Sequence, residues 1–196
     1  RGASAGFGLP SENKNNHPFI TTAKNFGLVH NGKIVEYDQL VKAYECSSKC
    51  DSEILLRIFE AGMNVANTVE ENEDADIQAQ LEGIKGIWSF IDRGHMAVAI
   101  GERVDENARR LFLFRNKHRT LWLVDVRDWL GQVFFCSTPE IWNEGLKFSG
   151  CGKLHQGRIK IIELPTEELW VLDTDAAHPT VQGIRKYDVS NEGHVN

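Results

Sequence analysis

No apolar run in this chain is long enough to cross a membrane; the longest, such as Ile87–Ile91 and Leu121–Val126, are strand-sized. Basic charge is also scarce. Lys and Arg number 22 against 28 Asp and Glu, a formal charge of -6, which disfavours a general binder of nucleic acid or of acidic membranes. Cysteines number only four (Cys46, Cys50, Cys136, Cys151), in a chain larger than the small secreted scaffolds that depend on bridges. They read as reduced thiols of a cytoplasmic protein. Cys46 and Cys50 offer two metal ligands, but no close Cys/His pair completes a tetrahedral set and His155 near Cys151 is a weak addition, so no metal is expected. An initiator Met and a charged-then-apolar signal region are both missing, and the start at Arg1 reads as cut, processed or omitted. The length, 196 residues, suits one domain with a substantial core.

What the chain does have is a stretch, Phe26-Gly27-Leu28-Val29-His30-Asn31-Gly32-Lys33-Ile34, in which an apolar run meets Asn-Gly and then resumes. Asn-Gly between apolar pieces is a hairpin signal, because both residues tolerate positive φ. The same dipeptide also presents a side-chain amide and a backbone N–H, the donors an oxyanion hole requires.

Residues 1–18, rich in Gly, Ser, Asn and Pro, are expected to be loop. A turn over Thr21–Asn25 leads into a strand at Phe26–His30, which Lys33–Val35 either resumes or follows with the next element. Tyr37, Leu40, Val41 and Tyr44 recur at helical spacing within Glu36–Tyr44. A clearer helix follows: Ser48 as N-cap, Asp51 and Glu53 as first-turn acids, Ile54, Leu55, Ile58 and Phe59 as the apolar stripe, and an end near Gly62. Seven acidic residues and no Lys or Arg lie between Glu60 and Glu82, a solvated face with a third helix at about Asp76 to Ile84. Ile87–Asp92 and His95–Ile100 read as a hairpin around Arg93-Gly94, followed by strands at Arg110–Arg115, Thr120–Val126 and Gln132–Ser137. Thr138 and Pro139 open a helix that ends by Ser149–Gly152. Gly157–Leu164 and Glu168–Asp173 read as a last hairpin, and the polar tail from Thr174 as loop. Runs of strands and runs of helices, without strict alternation, argue for α+β with antiparallel sheets, and the nearly all-apolar Leu111–Phe114 and Leu121–Val126 argue for layers covered on both faces.

Four pieces in order, Arg1-Gly2-Ala3-Ser4-Ala5-Gly6, Asn16-His17-Pro18-Phe19, Leu28-Val29-His30-Asn31-Gly32-Lys33-Ile34 and Cys50-Asp51-Ser52-Glu53, resemble the class II glutamine amidotransferase domain. That domain is the glutaminase part of glucosamine-6-phosphate synthase and of glutamine phosphoribosylpyrophosphate amidotransferase. The resemblance covers residues 1 to about 172, leaving 1–173 as the domain and 174–196 as a tail. It implies an N-terminal-nucleophile (Ntn) hydrolase fold, a four-layer αββα sandwich of antiparallel sheets, here N-terminally incomplete. It implies an N-terminal Cys that attacks the glutamine side-chain amide, its own α-amino group as base, and ammonia passed to a synthase domain or subunit. Asn31 and Gly32 would donate to the oxyanion, Arg1 would pair with the glutamine α-carboxylate and Asp51 with its α-ammonium. Ser4 stands where a threonine is common, and His17 where a pocket-lining residue precedes Pro.

The resemblance also marks departures. Its nucleophile and first strands lie upstream of Arg1, so they would come from a missing N-terminal segment, and none of the four cysteines takes their place. Gly2 stands where an aromatic is usual. No cofactor is needed for the hydrolysis, no nucleic-acid or membrane partner is implied, and oligomerisation is left open. Two other functions remain alongside: a non-catalytic binding or assembly protein that keeps the fold, and an Ntn-type hydrolase of another amide.

Overall fold

The computed structural model describes residues 9, 11–35, 37–66, 77–89, 94–104, 107–150, 158–174 and 181–189, and within them the chain is α+β with antiparallel sheets. It divides into two compact units, Arg1–Met96 and Ala97–Asn196.

In the first unit β1 (Phe19–Ile20) pairs antiparallel with β2 (Phe26–Ile34), Phe19 opposite Leu28 and Ile20 opposite Gly27. The other neighbour of β2 is β3 (Gly94–Val104), which begins in this unit and continues into the second. Phe26, Leu28, His30 and Ile34 are all buried, the every-second-residue pattern of one face of a pleated strand. The strand runs through Asn31-Gly32 without a turn, which corrects the hairpin reading of that dipeptide. Gly32 serves a different purpose: a Cβ there would sit 1.6 Å from the carbonyl oxygen of His95, so the two backbones approach as only glycine allows.

The described residues of this unit also form α1 (Tyr37–Ala43), α2 (Ser52–Ala66) and α3 (Gln78–Trp88). Ile54, Leu55, Ile58 and Phe59 form the buried stripe of α2, and the Phe59 ring meets Phe26 of β2 edge-on at 5.2 Å. Gly62 does not end α2. A Cβ there would lie 2.7 Å from the Glu82 carbonyl oxygen, and one at Gly83 would lie 2.6 Å from the Phe59 ring, so these glycines let α2 and α3 pack closely. For the same reason α3 continues past Gly83 and Gly86, and Ile87 is a buried helical residue in register with Leu81 and Ile84, not the start of a strand. Residues 90–93, the rest of that expected strand and its turn, lie outside the described residues.

The second unit holds the strand order β3-β4-β8-β9 and a separate sheet, β6-β5-β7. The first set uses β4 (Asn107–Arg115), β8 (Glu168–Thr174) and β9 (Val181–Asp188), with Phe112, Leu113 and Phe114 fully buried. The second uses β5 (Trp122–Val126), β6 (Gln132–Cys136) and β7 (Lys160–Glu163). In sequence the short α4 (Arg127–Leu130) links β5 to β6 and α5 (Pro139–Ser149) follows β6, the latter ended by left-handed Gly150.

Two expectations are corrected here. Residues of β7 and β8 do not form a hairpin: β7 pairs with β5, β8 with β4 and β9, and the chain changes sheet between them. Arg115 organises that crossing, donating to the Leu164 and Arg119 carbonyls and pairing with Glu163 at 3.0 Å. The polar tail, in turn, contains a strand. Arg185 of β9 pairs with Asp173 of β8 at 3.0 Å, Asp173 with Arg110 of β4 at 3.3 Å, and Arg110 with Glu102 of β3 at 3.2 Å. Charges of alternating sign thus run across four strands, which is how a polar segment earns a place in a sheet. No helix among the described residues is long and apolar enough to cross a membrane.

Candidate active site

The residues of interest in the first unit gather where the end of β2 meets the start of α2. Glu53, in the first turn of α2, is almost wholly buried, and its carboxylate accepts from Ser47 N–H (3.0 Å), Ser47 Oγ–H (3.0 Å), Ser48 N–H (2.6 Å) and the Arg57 guanidinium (3.1 Å). Burial alone would raise its pKa, but the hydrogen bonds from Ser47 and Ser48 win and hold it below the usual carboxylate value. Ser48 is therefore not the N-cap. It lies four residues before Ser52, the first helical residue, and its Oγ accepts from Cys50 N–H at 3.1 Å in a tight turn. Asn15 ties the preceding loop to the same turn: fully buried, it donates to the Leu9 carbonyl and accepts from Lys49 N–H at 3.0 Å.

Asp51 sits at the junction. Its backbone carbonyl accepts from Ile54 N–H in the first turn of α2, and its Oδ2 accepts from Ile34 N–H at 2.7 Å, two residues beyond Gly32. The Cys50 thiol lies 3.9 Å from Oδ1. His30, on the buried face of β2, places Nε2 3.0 Å from the His95 carbonyl oxygen and Nδ1 3.0 Å from Ser52 Oγ. His17 precedes a cis peptide to Pro18 and lies edge-on to Phe19. Its pKa falls to about 4, chiefly through burial and then through His30, with Asp51 opposing. The ring is thus neutral at pH 7, and its buried Nε2 has no partner among the described residues.

Of the six residues singled out in the sequence, His17, Gly32 and Asp51 are drawn together around His30. Asn31 is exposed, on the opposite side of β2 from the His30 ring. Arg1 and Ser4 lie outside the described residues. His30, Ser52, Glu53 and Asn15 were not identified as site residues from sequence. The period-2 burial of Phe26, Leu28 and His30 was a usable signal for His30, whereas the partners of the others are set by chain crossings.

Cys46, Cys50 and Cys136 are free thiols. Burial raises all three, Cys46 to about 11, in the direction that disfavours a thiolate. Among the described residues no group of three or more His, Cys, Asp and Glu is placed to hold a metal ion.

Over 114 residues the chain is 30% identical to the glutamine–fructose-6-phosphate aminotransferase [isomerizing] of Bacillus thuringiensis subsp. konkukian (strain 97-27), and equally to those of Bacillus cereus and Bacillus anthracis. The matched stretch is 56% of this chain and 16% of each relative, so the chain spans about a sixth of the length of the curated relatives it matches. This similarity supports a glutamine amidotransferase-type domain. No protein-family model matches the chain. A solved structure of a predicted glutamine amidotransferase from Pseudomonas aeruginosa PA01 aligns with a TM-score of 0.42 at 17% identity, covering 57% of this chain and 42% of that one, too low a likeness to bear on mechanism.

Proposed function

We propose that this chain is the glutamine-hydrolysing part of a class II glutamine amidotransferase, an Ntn-type αββα sandwich that acts in the cytoplasm and passes ammonia to a synthase domain or subunit. The observation that carries the proposal is the 2.7 Å bond from Ile34 N–H to Asp51 Oδ2, which holds a carboxylate beside the strand end that carries Asn31 and Gly32. Asp51 Oδ1 then accepts the substrate α-ammonium, and the neutral His17 lines the pocket as a hydrogen-bonding wall. Arg1 is assigned to the α-carboxylate, for which a guanidinium fork is well matched, and Ser4 to a neighbouring hydroxyl contact.

In this scheme a thiolate adds to the amide carbon of glutamine, and the oxyanion so formed accepts from the Asn31 side-chain amide and the Gly32 N–H. The C–N bond then breaks, the nitrogen takes a proton and leaves as ammonia, and water releases glutamate from the thioester. By the resemblance to class II glutamine amidotransferases the nucleophile is assigned to an N-terminal cysteine outside this sequence, and burial raises the three described thiols, in the direction that disfavours a thiolate.

The test is glutamate release from glutamine by the full-length polypeptide that contains this chain. Asn31→Ala should lower kcat by roughly 10²–10³-fold with little change in KM, since the donor acts on charge that develops in the transition state. An unchanged kcat removes Asn31 from the oxyanion hole. Asp51→Ala should raise KM for glutamine at least about tenfold and affect a peptide-amide substrate much less, as expected for loss of a charge-assisted bond. Equal losses on both substrates would argue against an ammonium contact at Asp51.

A further inference from the structure

We infer that His30 and Ser52 are positioning residues of this same site, a two-bond bracket that sets where the Asn31-Gly32 backbone and the Asp51 carboxylate stand relative to each other. The inference rests on the proposed glutaminase function for its kinetic consequence, and on the geometry alone for its structural one.

A backbone carbonyl can only accept, so the 3.0 Å contact between His30 Nε2 and the His95 oxygen places a proton on Nε2. Nδ1 faces Ser52 Oγ, 3.0 Å away and itself buried, and the hydroxyl donates to a neutral ring or accepts from a charged one, so the tie holds in either state. One imidazole therefore joins three elements: β2 through its own backbone, the first residues of β3 through His95, and the first residue of α2 through Ser52. Gly32 lies inside the bracket. A Cβ there would be 2.5 Å from His30 Nε2 as well as 1.6 Å from the His95 oxygen, so the ring and the carbonyl close directly over this residue. Asp51, next to Ser52 in sequence, makes the third tie, to Ile34 N–H. Successive inward positions of β2, at 30, 32 and 34, are thus each fixed by a contact from His95, Ser52 or Asp51.

Neither side chain has to touch substrate for this to matter. Near-attack geometry is sensitive to displacements of about 1 Å, which can cost on the order of 10²-fold. Removing the Ser52 hydroxyl lets the His30 ring rotate, and with it the strand segment that carries the oxyanion donors.

The experiment uses the full-length polypeptide with Ser52→Ala, His30→Leu and His30→Gln, read by glutamine hydrolysis and by amide hydrogen exchange of the segment covering residues 30–34. In Ser52→Ala and His30→Leu, kcat should fall roughly 10–100-fold with KM within about threefold, and exchange of residues 30–34 should quicken by on the order of tenfold while β4 and β8 stay as in wild type. His30→Gln can still direct an N–H at the His95 carbonyl and should recover a large part of the loss. Unchanged exchange of residues 30–34 in Ser52→Ala overturns the inference whatever the activity, and so does a kinetic loss confined to KM. If His30→Leu fails to fold, Ser52→Ala alone decides. If the wild-type protein releases no glutamate, the proposed function falls, and the exchange measurement still decides whether His30 and Ser52 hold the strand.

Discussion

Replacing Gly32 with alanine should abolish glutamine hydrolysis in the full-length protein, with a fall in kcat of roughly 10²–10³-fold or more. The added methyl would stand 1.6 Å from the His95 oxygen and 2.5 Å from both the His95 carbonyl carbon and His30 Nε2. Two of those three atoms are backbone, so no rotamer change relieves the contact. β2 and the start of β3 must separate by on the order of 1–2 Å, beyond the reach of the His30–His95 hydrogen bond. Overpacking of this kind costs about 1–3 kcal/mol, occasionally more, so the variant should also unfold at lower urea. Gly101→Ala is the matched control. It lies in β3 with nothing within 4 Å of its would-be Cβ, and it should leave the urea midpoint nearly unmoved. Wild-type turnover in Gly32→Ala would show that the close approach of β2 to His95 is not needed for the chemistry.

The helices and most strands were legible because their signals are local. The stripe Ile54, Leu55, Ile58, Phe59 announces α2 whatever it packs on, and Thr138-Pro139 with Gly150 brackets α5. Failures fall where a local signal has two meanings and a distant partner decides between them. Gly62 reads as a stop, yet two helices pressed together need glycine at the contact, as Gly62 and Gly83 show. Asn31-Gly32 reads as a turn, yet the carbonyl that requires Gly32 belongs to His95, more than sixty residues away. Pro165-Thr166 is turn chemistry whether the chain doubles back or changes sheet, and the ladder that selects the second, β7 on β5 and β8 on β4, is non-local. β9 reads as polar tail because Arg185, Lys186 and Asp188 mark its composition. Their partners explain them: Asp173 for Arg185, and the Trp170 ring, 4.1 Å from the Lys186 ammonium. Within the candidate site, short motifs single out Asp51 and Gly32 as candidates, whereas His30, Ser52 and Glu53 contact the residues around them in ways that only the hydrogen bonds show. No motif spacing reveals such a role; a hydrogen-bond partner does.

Glu53→Gln should cost about 2–4 kcal/mol at neutral pH, and the cost should shrink as pH falls. The glutamine is nearly isosteric, so packing is kept and only charge and donor–acceptor matching change. With its carbonyl oxygen toward Ser47 and Arg57, its NH2 group faces Ser48 N–H, donor against donor, in place of the 2.6 Å bond that the carboxylate makes. Turning the amide over presents NH2 to Ser47 N–H, Ser47 Oγ and Arg57 instead, which is worse. The sign of the pH effect follows from linkage. Glu53 titrates below its ordinary 4.5 in the folded protein, so its ionisation adds stability that is fully present above about 4.5 and is lost as pH falls through the lower folded value. Glu53→Gln has no such proton to gain, so urea midpoints of wild type and variant should converge between about pH 4.5 and the acid limit of folding. The same turn, Ser47 to Cys50, leads directly into Asp51, and a loosened turn lets the carboxylate drift from Ile34 N–H. KM for glutamine should therefore rise along with the loss of stability. A constant difference in midpoint across the pH range would mean that the Glu53 charge contributes nothing and that only shape matters at this turn.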